Sequence, residues 1–336
     1  MLTKAPSQTG WVPRRTLPGP KQALPPPAPD VQSVAILGRV AVESDLWSRW
    51  LLDRRDARDA AQRGVTIEHL SHVRDRVLEA AGSLDGATLL DVGCGDGLIG
   101  LRALDLVGPD GTVIFADISD ALIEHCREAV RARGALDGAR FVLAGAEDLA
   151  RIPAASVDVV TTRSVLIYVE DKARAFSAMH RVLRPGGRIS LFEPINRLMF
   201  PEPDDRFGGY DVTGATDLAA KVKAVFARSE PPGAVAAMMG FDDRDLVRLA
   251  EEAGFERIHL ECHIDVEPGS LMRSVTLDAL LGSAPNPNAP TVGEAITAAL
   301  SEPERQRFVA GLEQAFTEDR AVRRMAVAYV VACKRR

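Results

Sequence analysis

The chain contains 336 residues, of which 46% are hydrophobic and 26% are charged, and this composition predicts a globular protein with a sizeable core. A formal net charge of −6 argues against a nucleic-acid partner, because binding to phosphates needs a basic surface. The sequence has no apolar signal core and no run of roughly 18 apolar residues, so a membrane span is not predicted. Four scattered cysteines predict reduced thiols in a cytoplasmic protein and no zinc site.

The first quarter of the chain divides into a proline-rich tail and a helical segment. Residues 1–31 include the stretch ALPPPAPD and predict a tail without regular structure. Residues 32–83 show helical spacing, with Trp47 and Trp50 on an early helix and Gly82 as a helix stop. A second helix of this segment carries an apolar stripe of Ile67, Leu70, Val73, Val77 and Leu78.

From residue 84 to the end, short apolar runs alternate with amphipathic helical stretches, which defines the predicted main domain. The predicted strands are Thr88–Val92, Thr112–Asp117, Arg140–Ala144, Val157–Thr162, Arg188–Glu193, Phe255–Val266 and Met325–Cys333. Helices are predicted near residues 97–107, 120–133, 170–183 and 242–253. Because strands that alternate with helices form right-handed crossovers, we predict an α/β fold with a doubly wound, largely parallel sheet.

The last two predicted strands differ in their residue patterns. In Phe255–Val266, polar and apolar residues alternate, as expected of an edge strand with one solvated face. The near-continuous apolar run Met325–Cys333 instead predicts a strand that is buried on both faces. Two interruptions, at about 194–241 and 267–321, contain further helical stretches and apolar residues such as Phe207.

Three alternate glycines join the first predicted strand to the first helix, in the stretch LLDVGCGDGLIG. Gly93, Gly95 and Gly97 permit positive φ angles and the close approach of a ligand, which is typical of an anion or nucleotide site. Their spacing differs from the G-x-G-x-x-G of dinucleotide-binding proteins. A tight turn that binds nothing is the structural alternative.

Acidic residues follow the next two predicted strands. Asp117 ends the second strand, where a carboxylate can accept hydrogen bonds from both hydroxyls of a ribose. Asp148 follows the third strand, in the stretch GAEDL, where it could accept an adenine amino proton. Each carboxylate alone is more often a solvated residue or a helix cap. Together with the glycine loop they predict a nucleotide site at successive strand ends.

These motifs resemble those of the class I S-adenosylmethionine-dependent methyltransferases, in the broad branch that acts on small molecules. The resemblance covers about residues 84–266 and the last strand, through LLDVGCGDG, FADIS, AGAEDL, VDVVTTRSVLIYVED and RVLRPGGRISLFEP. It implies a Rossmann-like sheet of seven strands in the order 3-2-1-4-5-7-6 with the seventh antiparallel. Because both interruptions follow carboxyl ends of strands in this order, we expect them, together with the Trp47 helix, to form a lid on the cofactor side of the sheet. Packing of the interruptions onto the domain is the structural alternative.

The resemblance implies the following contacts for S-adenosylmethionine. The methionine part would lie in the loop of Gly93, Cys94, Gly95 and Gly97, with Asp91 bracing that loop. Asp117 would hold the ribose, and Ile118 would pack on the adenine. The adenine edge would meet Ala146, Glu147 and Asp148, and the sulfonium would lie beside Arg163 and Ser164.

The methyl acceptor is less well defined by these motifs. The nitrogen-methylating N-P-P-Y signature is replaced by TRSV, and the paired-glutamate loop of arginine methyltransferases is absent, so a small-molecule or short-peptide acceptor is predicted. Tyr168, Glu193 and His263 are the candidates for a catalytic base. His263 belongs to a polar strand face that we interpret as solvated, and no metal site is predicted.

We therefore expect a cytoplasmic methyltransferase that acts on oxygen, nitrogen or carbon of an organic acceptor, in specialised metabolism. The residues alone are also compatible with two other functions. A nicotinamide-dependent oxidoreductase would share the strand–loop–helix cradle, although the glycine spacing disfavours it. A non-catalytic partner protein of the same fold is the third hypothesis. The sequence leaves the oligomeric state open.

Overall fold

A computed structural model describes residues 44–269 and 276–336. The proline-rich stretch 1–31, predicted to be a tail, lies outside the described residues. No described helix is long and apolar enough to cross a membrane.

A seven-stranded sheet forms the centre of the protein, and a separate pair of two-residue strands lies outside it. The seven strands are β1 (Thr88–Val92), β2 (Thr112–Asp117), β3 (Ala139–Leu143), β4 (Val157–Arg163), β5 (Leu183–Pro194), β8 (Phe255–Pro268) and β9 (Val322–Lys334). The short pair consists of β6 (Arg206–Phe207) and β7 (Tyr210–Asp211).

Helices cover both faces of the sheet and make up most of the two interruptions. Those before and within the sheet region are α1 (Leu46–Arg49), α2 (Ala60–Ala80), α3 (Gly100–Val107), α4 (Asp120–Ala132), α5 (Lys172–Val182) and α9 (Asp243–Glu252). Those of the interruptions are α6 (Asn196–Met199), α7 (Thr216–Ser229), α8 (Ala234–Met239), α10 (Leu277–Gly282), α11 (Val292–Ala299) and α12 (Glu302–Thr317).

The strand order is β3-β2-β1-β4-β5-β9-β8, so the predicted order 3-2-1-4-5-7-6 is confirmed. Strands β1 to β5 pair in parallel, whereas β9 runs antiparallel to both β5 and β8. β9 lies between two strands and contributes buried residues, while β8 lies at the edge. The alternating and continuous apolar patterns therefore predicted the two positions correctly.

The apolar core consists of three clusters of buried residues. One lies on the sheet face covered by α5 and α9, and a second lies on the face covered by α2, α3 and α4. The third belongs to the interruptions themselves, where Phe207, Tyr210 and Phe308 are buried together with residues of α7, α11 and α12. The apolar residues of the interruptions therefore form a core of their own.

Substitution of two glycines can measure how tightly the helices pack on this sheet. A Cβ on Gly100, the first residue of α3, would overlap the buried ring of Phe115 on β2, whereas a Cβ on Gly64 in α2 would meet nothing within 4 Å. We expect Gly100→Ala to lower the free energy of unfolding by about 1–3 kcal/mol through overpacking. Gly64→Ala should raise it by up to about 1 kcal/mol through helix propensity.

Urea denaturation of both variants checks the prediction. The two substitutions are chemically identical, so the opposite signs isolate packing from helix propensity. An equal gain in stability for both would show that α3 is not held closely against β2.

Candidate active site

A cavity of about 190 Å³ lies at the carboxyl ends of the parallel strands, where open α/β sheets bind their ligands. Its walls come from the chain around α1 and from the loops that follow β1, β2, β3 and β4. The residues that line it are Trp47, Trp50, Leu51, Asp91, Gly93, Cys94, Gly95, Leu98, Ile99, Asp117, Ile118, Leu122, Ala144, Gly145, Ala146, Glu147, Arg163, Ser164, Val165, Tyr168 and Val169.

The glycine loop after β1 forms the floor of this cavity. Gly93 and Gly95 both have positive φ angles, 65° and 55°. A Cβ on Gly93 would overlap Val165, and a Cβ on Gly95 would come within 2.9 Å of Leu51. Side chains are therefore excluded at both positions, and the loop backbone borders the cavity directly.

Asp91 braces the glycine loop from below. One of its carboxylate oxygens accepts a hydrogen bond from the Gly100 N–H (3.0 Å), and the other accepts from the Thr161 hydroxyl (3.0 Å). Burial raises the pKa of Asp91 to about 7. Both oxygens are thus engaged in holding the start of α3 and the neighbouring strand β4.

Asp117 lies at the end of β2, beside the glycine loop. Its two oxygens accept hydrogen bonds from the Gly95 N–H (2.9 Å) and the Ser119 N–H (3.0 Å). A carboxylate has about four acceptor positions, so two remain for a ligand. Burial raises the pKa of Asp117. The neighbouring Ile118 exposes 55% of its surface and lines the cavity, which leaves an apolar surface for a planar ring.

The loop after β3 supplies Ala146 and Glu147 to the cavity, but two other predicted ligand residues lie outside it. Asp148 accepts a hydrogen bond from the Ala150 N–H (3.2 Å) and so stabilises its own turn. Gly97 lies on the far side of the glycine loop, where its N–H donates to the Cys94 carbonyl. Both residues shape the loops without lining the cavity.

Arg163 ends β4 and brings a cation into the cavity. Burial lowers its pKa, because taking the guanidinium out of water disfavours the charged form. Within residues 44–269 and 276–336 its guanidinium makes neither a direct hydrogen bond nor a direct ion pair, although the carboxylates of Asp96 and Asp91 favour its charged form from a distance. Its N–H donors are therefore available to an anionic group in the cavity.

Glu193 ends β5 and is completely buried, but it does not line the cavity. Its carboxylate accepts hydrogen bonds from the N–H groups of Val165 (3.0 Å), Leu166 (3.0 Å) and Ile167 (3.3 Å), and from the Thr162 hydroxyl (3.2 Å). Burial raises the pKa of Glu193 to about 7, although these donors oppose the shift. The structure thus gives this base candidate a role in holding the β4 loop.

Tyr168 is the catalytic candidate that the structure brings to the cavity. Burial raises its pKa well above the ordinary value, so the hydroxyl stays protonated at neutral pH. Its ring packs edge-on against Trp47 and Trp50, with centroids 5.0 and 6.5 Å away. Among the described residues its hydroxyl has no hydrogen-bond partner, so it is available to a ligand.

His263 lies on β8, away from the cavity. Its Nε2 is 2.9 Å from the Arg76 guanidinium, and its ring packs edge-on against Tyr329. A base in this position would not reach the carboxyl ends of β1 to β4. In the described part of the chain, no group of three or more His, Cys, Asp or Glu residues is arranged to hold a metal ion.

A segment around α1 covers the cavity. It consists of residues 45–58, in which a π-helical turn, Trp50–Arg54, continues α1. The segment is tied to the glycine loop by an ion pair between Arg55 and Asp96 (3.4 Å). We call residues 45–58 the cover.

The second interruption supports the cover from outside, and none of its described residues lines the cavity. The Trp50 indole N–H donates to the Ala284 carbonyl (2.9 Å), and the Ala284 N–H donates to the Arg54 carbonyl (3.0 Å). The interruptions were predicted to roof the cavity together with the Trp47 helix. In the structure the cover is the roof, and the second interruption holds it in place.

The sequence analysis missed several apolar lining residues and the link between cover and loop. Val165, Leu122 and Leu98 line the cavity, but their apolar sequence patterns are equally typical of residues in the hydrophobic core. The Arg55–Asp96 pair joins residues 41 positions apart, and a single sequence carries no signal for it. The two tryptophans of the cover were the one available signal, because large aromatic residues close together often enclose a ligand.

A second hollow, of about 460 Å³, lies between α5, α8 and α9. It is larger, but it borders neither the glycine loop nor a strand end. Lys172 is buried beside it, with its ammonium group hydrogen-bonded to the Val169 and Ala237 carbonyls (both 2.8 Å). These contacts join α8 to the β4 loop, so we regard the hollow as a packing feature.

The cavity fits S-adenosylmethionine on three structural grounds. The glycine loop leaves backbone open to a ligand, Asp117 retains acceptor capacity, and Arg163 lines the cavity with a half-buried guanidinium whose donors no described residue engages directly. A methyltransferase-domain family model matches residues 90–191, the part of the chain that builds most of this cavity.

The ubiquinone/menaquinone biosynthesis C-methyltransferase UbiE of Pseudomonas putida is 34% identical over 184 residues, which cover 54% of this chain and 70% of that relative. The chain belongs to the class I S-adenosylmethionine-dependent methyltransferases. Its cofactor is S-adenosylmethionine, and the oxidoreductase and non-catalytic hypotheses are set aside.

Two further similarities are more limited. An arsenite methyltransferase of Halobacterium salinarum is 31% identical over 177 residues, covering 52% of this chain and 39% of that protein. The crystal structure of the YcgJ protein from Bacillus subtilis matches with a TM-score of 0.51 at 16% identity, over 79% of this chain and 99% of that one. The latter shows a shared fold.

The role of Glu193 predicts a pH-dependent stability difference. Its folded pKa of about 7 lies above the ordinary value of 4.5, so the folded state binds more protons between these values and its stability falls as pH rises. Glu193→Gln removes this titration and places an NH₂ donor among N–H groups. We expect a loss of about 1–3 kcal/mol, larger at pH 5 than at pH 8.

Urea unfolding of wild type and variant across this pH range measures the difference. The exposed Glu256→Gln serves as control and should change neither the stability nor its pH dependence. A cost for Glu193→Gln that is equal at pH 5 and pH 8 would mean that the buried carboxylate is ionised throughout this range.

The available guanidinium donors of Arg163 predict a ligand-selective effect. If its guanidinium binds the cofactor carboxylate, Arg163→Met should weaken S-adenosylhomocysteine binding at least about tenfold, as expected for a charge-assisted hydrogen bond. Binding of 5′-methylthioadenosine, which has no carboxylate, should change little. The stability of the apoprotein should change little, because the substitution removes no direct hydrogen bond or ion pair between described residues.

Isothermal titration calorimetry of both ligands measures the two affinities. The control is Arg131→Met, an exposed arginine on α4. Equal losses for both ligands in Arg163→Met would show that Arg163 shapes the cavity and does not bind the carboxylate.

Proposed function

We propose that this methyltransferase acts on a small or medium-sized organic molecule that enters the cavity beside Trp47, Trp50 and Tyr168. The observation that carries the proposal is the aromatic wall of the cover, which faces the glycine loop across the cavity. An enclosed space between aromatic side chains suits a compact, partly apolar acceptor and excludes a folded macromolecule.

The cofactor contacts proposed from the resemblance are supported by the arrangement of the cavity. We propose that the Gly93–Gly95 loop holds the methionine part and that Arg163 binds its carboxylate. Asp117 would accept the ribose hydroxyls, with Ile118 beneath the adenine. Ala146 and Glu147 would border the adenine edge.

S-Adenosylmethionine supplies, when bound, a methyl group on a sulfonium whose departure leaves a neutral thioether. The protein then has to align the acceptor and exclude water. Alignment of two reactants can contribute on the order of 7–11 kcal/mol. The cover excludes water, because Trp47, Trp50 and Leu51 lie over the cavity.

No side chain at the cavity is well suited to act as a general base. The Asp91 and Asp117 carboxylates are bound to backbone N–H groups, and Glu193 points away from the cavity. Tyr168 has a raised pKa and an unpartnered hydroxyl, so it is a hydrogen-bond donor at neutral pH. We therefore assign Tyr168 the role of orienting the acceptor, and expect an acceptor that needs no enzymic base.

The relatives support a range of acceptors. One relative is a C-methyltransferase by name and another methylates arsenite, so the shared domain serves different acceptor atoms. Transfer to oxygen, nitrogen or carbon is compatible with a site whose own contribution is alignment. A cytoplasmic location and a role in specialised metabolism remain predictions from the sequence.

An isotope experiment tests the proposal. The protein is incubated with S-adenosylmethionine carrying a deuterated methyl group and with a cell extract divided into small-molecule, protein and nucleic-acid fractions. We expect the deuterated methyl in the small-molecule fraction. Label confined to a macromolecular fraction, or no transfer by a protein that binds the cofactor, would overturn the proposal.

Tyr168→Phe provides a second arm of the same experiment. It should reduce labelling about tenfold, the effect of losing one hydrogen bond, while cofactor affinity stays within a factor of two. The control, Tyr329→Phe, removes a hydroxyl from a tyrosine that packs under Arg76 outside the cavity, and should transfer normally.

A further inference from the structure

The edge strand β8 is long and open on one side. It spans 14 residues, and among the described residues it pairs only with β9. The opposite edge of the sheet is β3, which has five residues. A long open edge is a template for another strand, so proteins protect it or use it.

The side chains of β8 divide into a polar and an apolar face. The polar face carries His259, Glu261, His263 and Asp265, and lies on the side of Arg76. The apolar face continues from Leu260 through Cys262 to Ile264 and Val266, beyond the part that α9 covers. Ile264 and Val266 expose 60% and 56% of their surfaces, the largest values among exposed apolar residues in the described chain.

The backbone groups at the open edge belong to the apolar residues. The Ala326 carbonyl accepts from the Ile195 N–H on the β5 side, whereas the Ala321 carbonyl accepts from the Gly269 N–H on the β8 side. Strand groups alternate in direction, so odd-numbered residues of β9 bond to their odd-numbered partners on β8. The N–H and C=O groups of Leu260, Cys262, Ile264 and Val266 therefore point outwards.

We propose that β8 pairs antiparallel with β8 of a second copy of this chain, about a two-fold axis at Cys262. This register places Leu260 opposite Ile264 of the second copy, within the part of β8 that pairs regularly with β9 from His259 onwards. On the other face it places Glu261 opposite His263, and His259 opposite Asp265. Every pair is apolar with apolar or acidic with basic, and the contact is closed and isologous. The proposal is independent of the proposed methyl acceptor.

Neighbouring registers are disfavoured by charge. Facing residues of an antiparallel pair lie on the same side of the sheet. The two-fold axis must therefore pass through a residue, so that apolar residues of one copy face apolar residues of the other and polar residues face polar ones. An axis at Glu261 would oppose two glutamates. An axis at His263 would oppose Glu261 and Asp265. The alternating charges of β8 thus disfavour the two pairings whose axis is moved by one residue, and permit the one at Cys262.

Solution size measured by light scattering is the first test. The wild-type protein should be a dimer at micromolar concentrations. Ile264→Glu places a carboxylate against Leu260 of the second copy, and should raise the dimer dissociation constant at least tenfold. Because residue 264 is exposed in the single chain, the variant should remain folded. Leu136→Glu, an exposed apolar position near the β3 edge, should leave the dimer intact.

Thiol cross-linking tests the register in a Cys333→Ser background. Facing residues lie about 5.5 Å apart, so a short bifunctional reagent should join Cys262 to Cys262. With Leu260→Cys and Cys262→Ser combined, the thiols would lie roughly 14 Å apart and should not be joined. A monomeric wild type, a dimer unaffected by Ile264→Glu, or cross-linking through residue 260 but not 262 would each overturn the proposal.

Discussion

The Glu193 carboxylate, buried at the end of β5, fixes the wall on which the active site depends. Because β4 and β5 are parallel neighbours, Glu193 lies beside the turn that follows β4. There it accepts hydrogen bonds from three consecutive backbone N–H groups. Because one carboxylate satisfies these backbone donors, it favours a single conformation of the turn. The turn sets Arg163 and Tyr168 across the cavity from the glycine loop, although Glu193 itself does not line the cavity.

The cover connects this wall to the rest of the chain. Trp47 and Trp50 pack on Tyr168, Trp50 is hydrogen-bonded to Ala284 of the second interruption, and Arg55 is paired with the glycine loop. The interruptions, with their own apolar core, therefore influence the cavity through the cover and not by lining it.

Much of the site was predictable because its residues follow strands. Asp91, the glycines, Asp117 and Arg163 each end or follow a strand, and parallel strands bring their carboxyl ends to one edge of a sheet. The direction in which each strand-end side chain points was not predictable in the same way. Tyr168 and Glu193 both lie at that edge, yet one faces the cavity and the other faces the protein. Their difference depends on a turn whose hydrogen bonds join residues about 30 positions apart.

By itself, the sequence determined the strands, the glycine loop with its strand-end carboxylates and the edge character of β8, because each of these depends on local patterns of glycine, charge and apolar spacing. The strand order followed from the resemblance to the class I methyltransferases. Only the tertiary structure decided which strand-end side chains enter the cavity and what covers it. It also separated His263 from the site and turned backbone groups of Ile264 and Val266 towards an edge with which no described strand pairs. These features depend on contacts between distant segments, where the packing of one segment sets the direction of another and no single stretch contains the information.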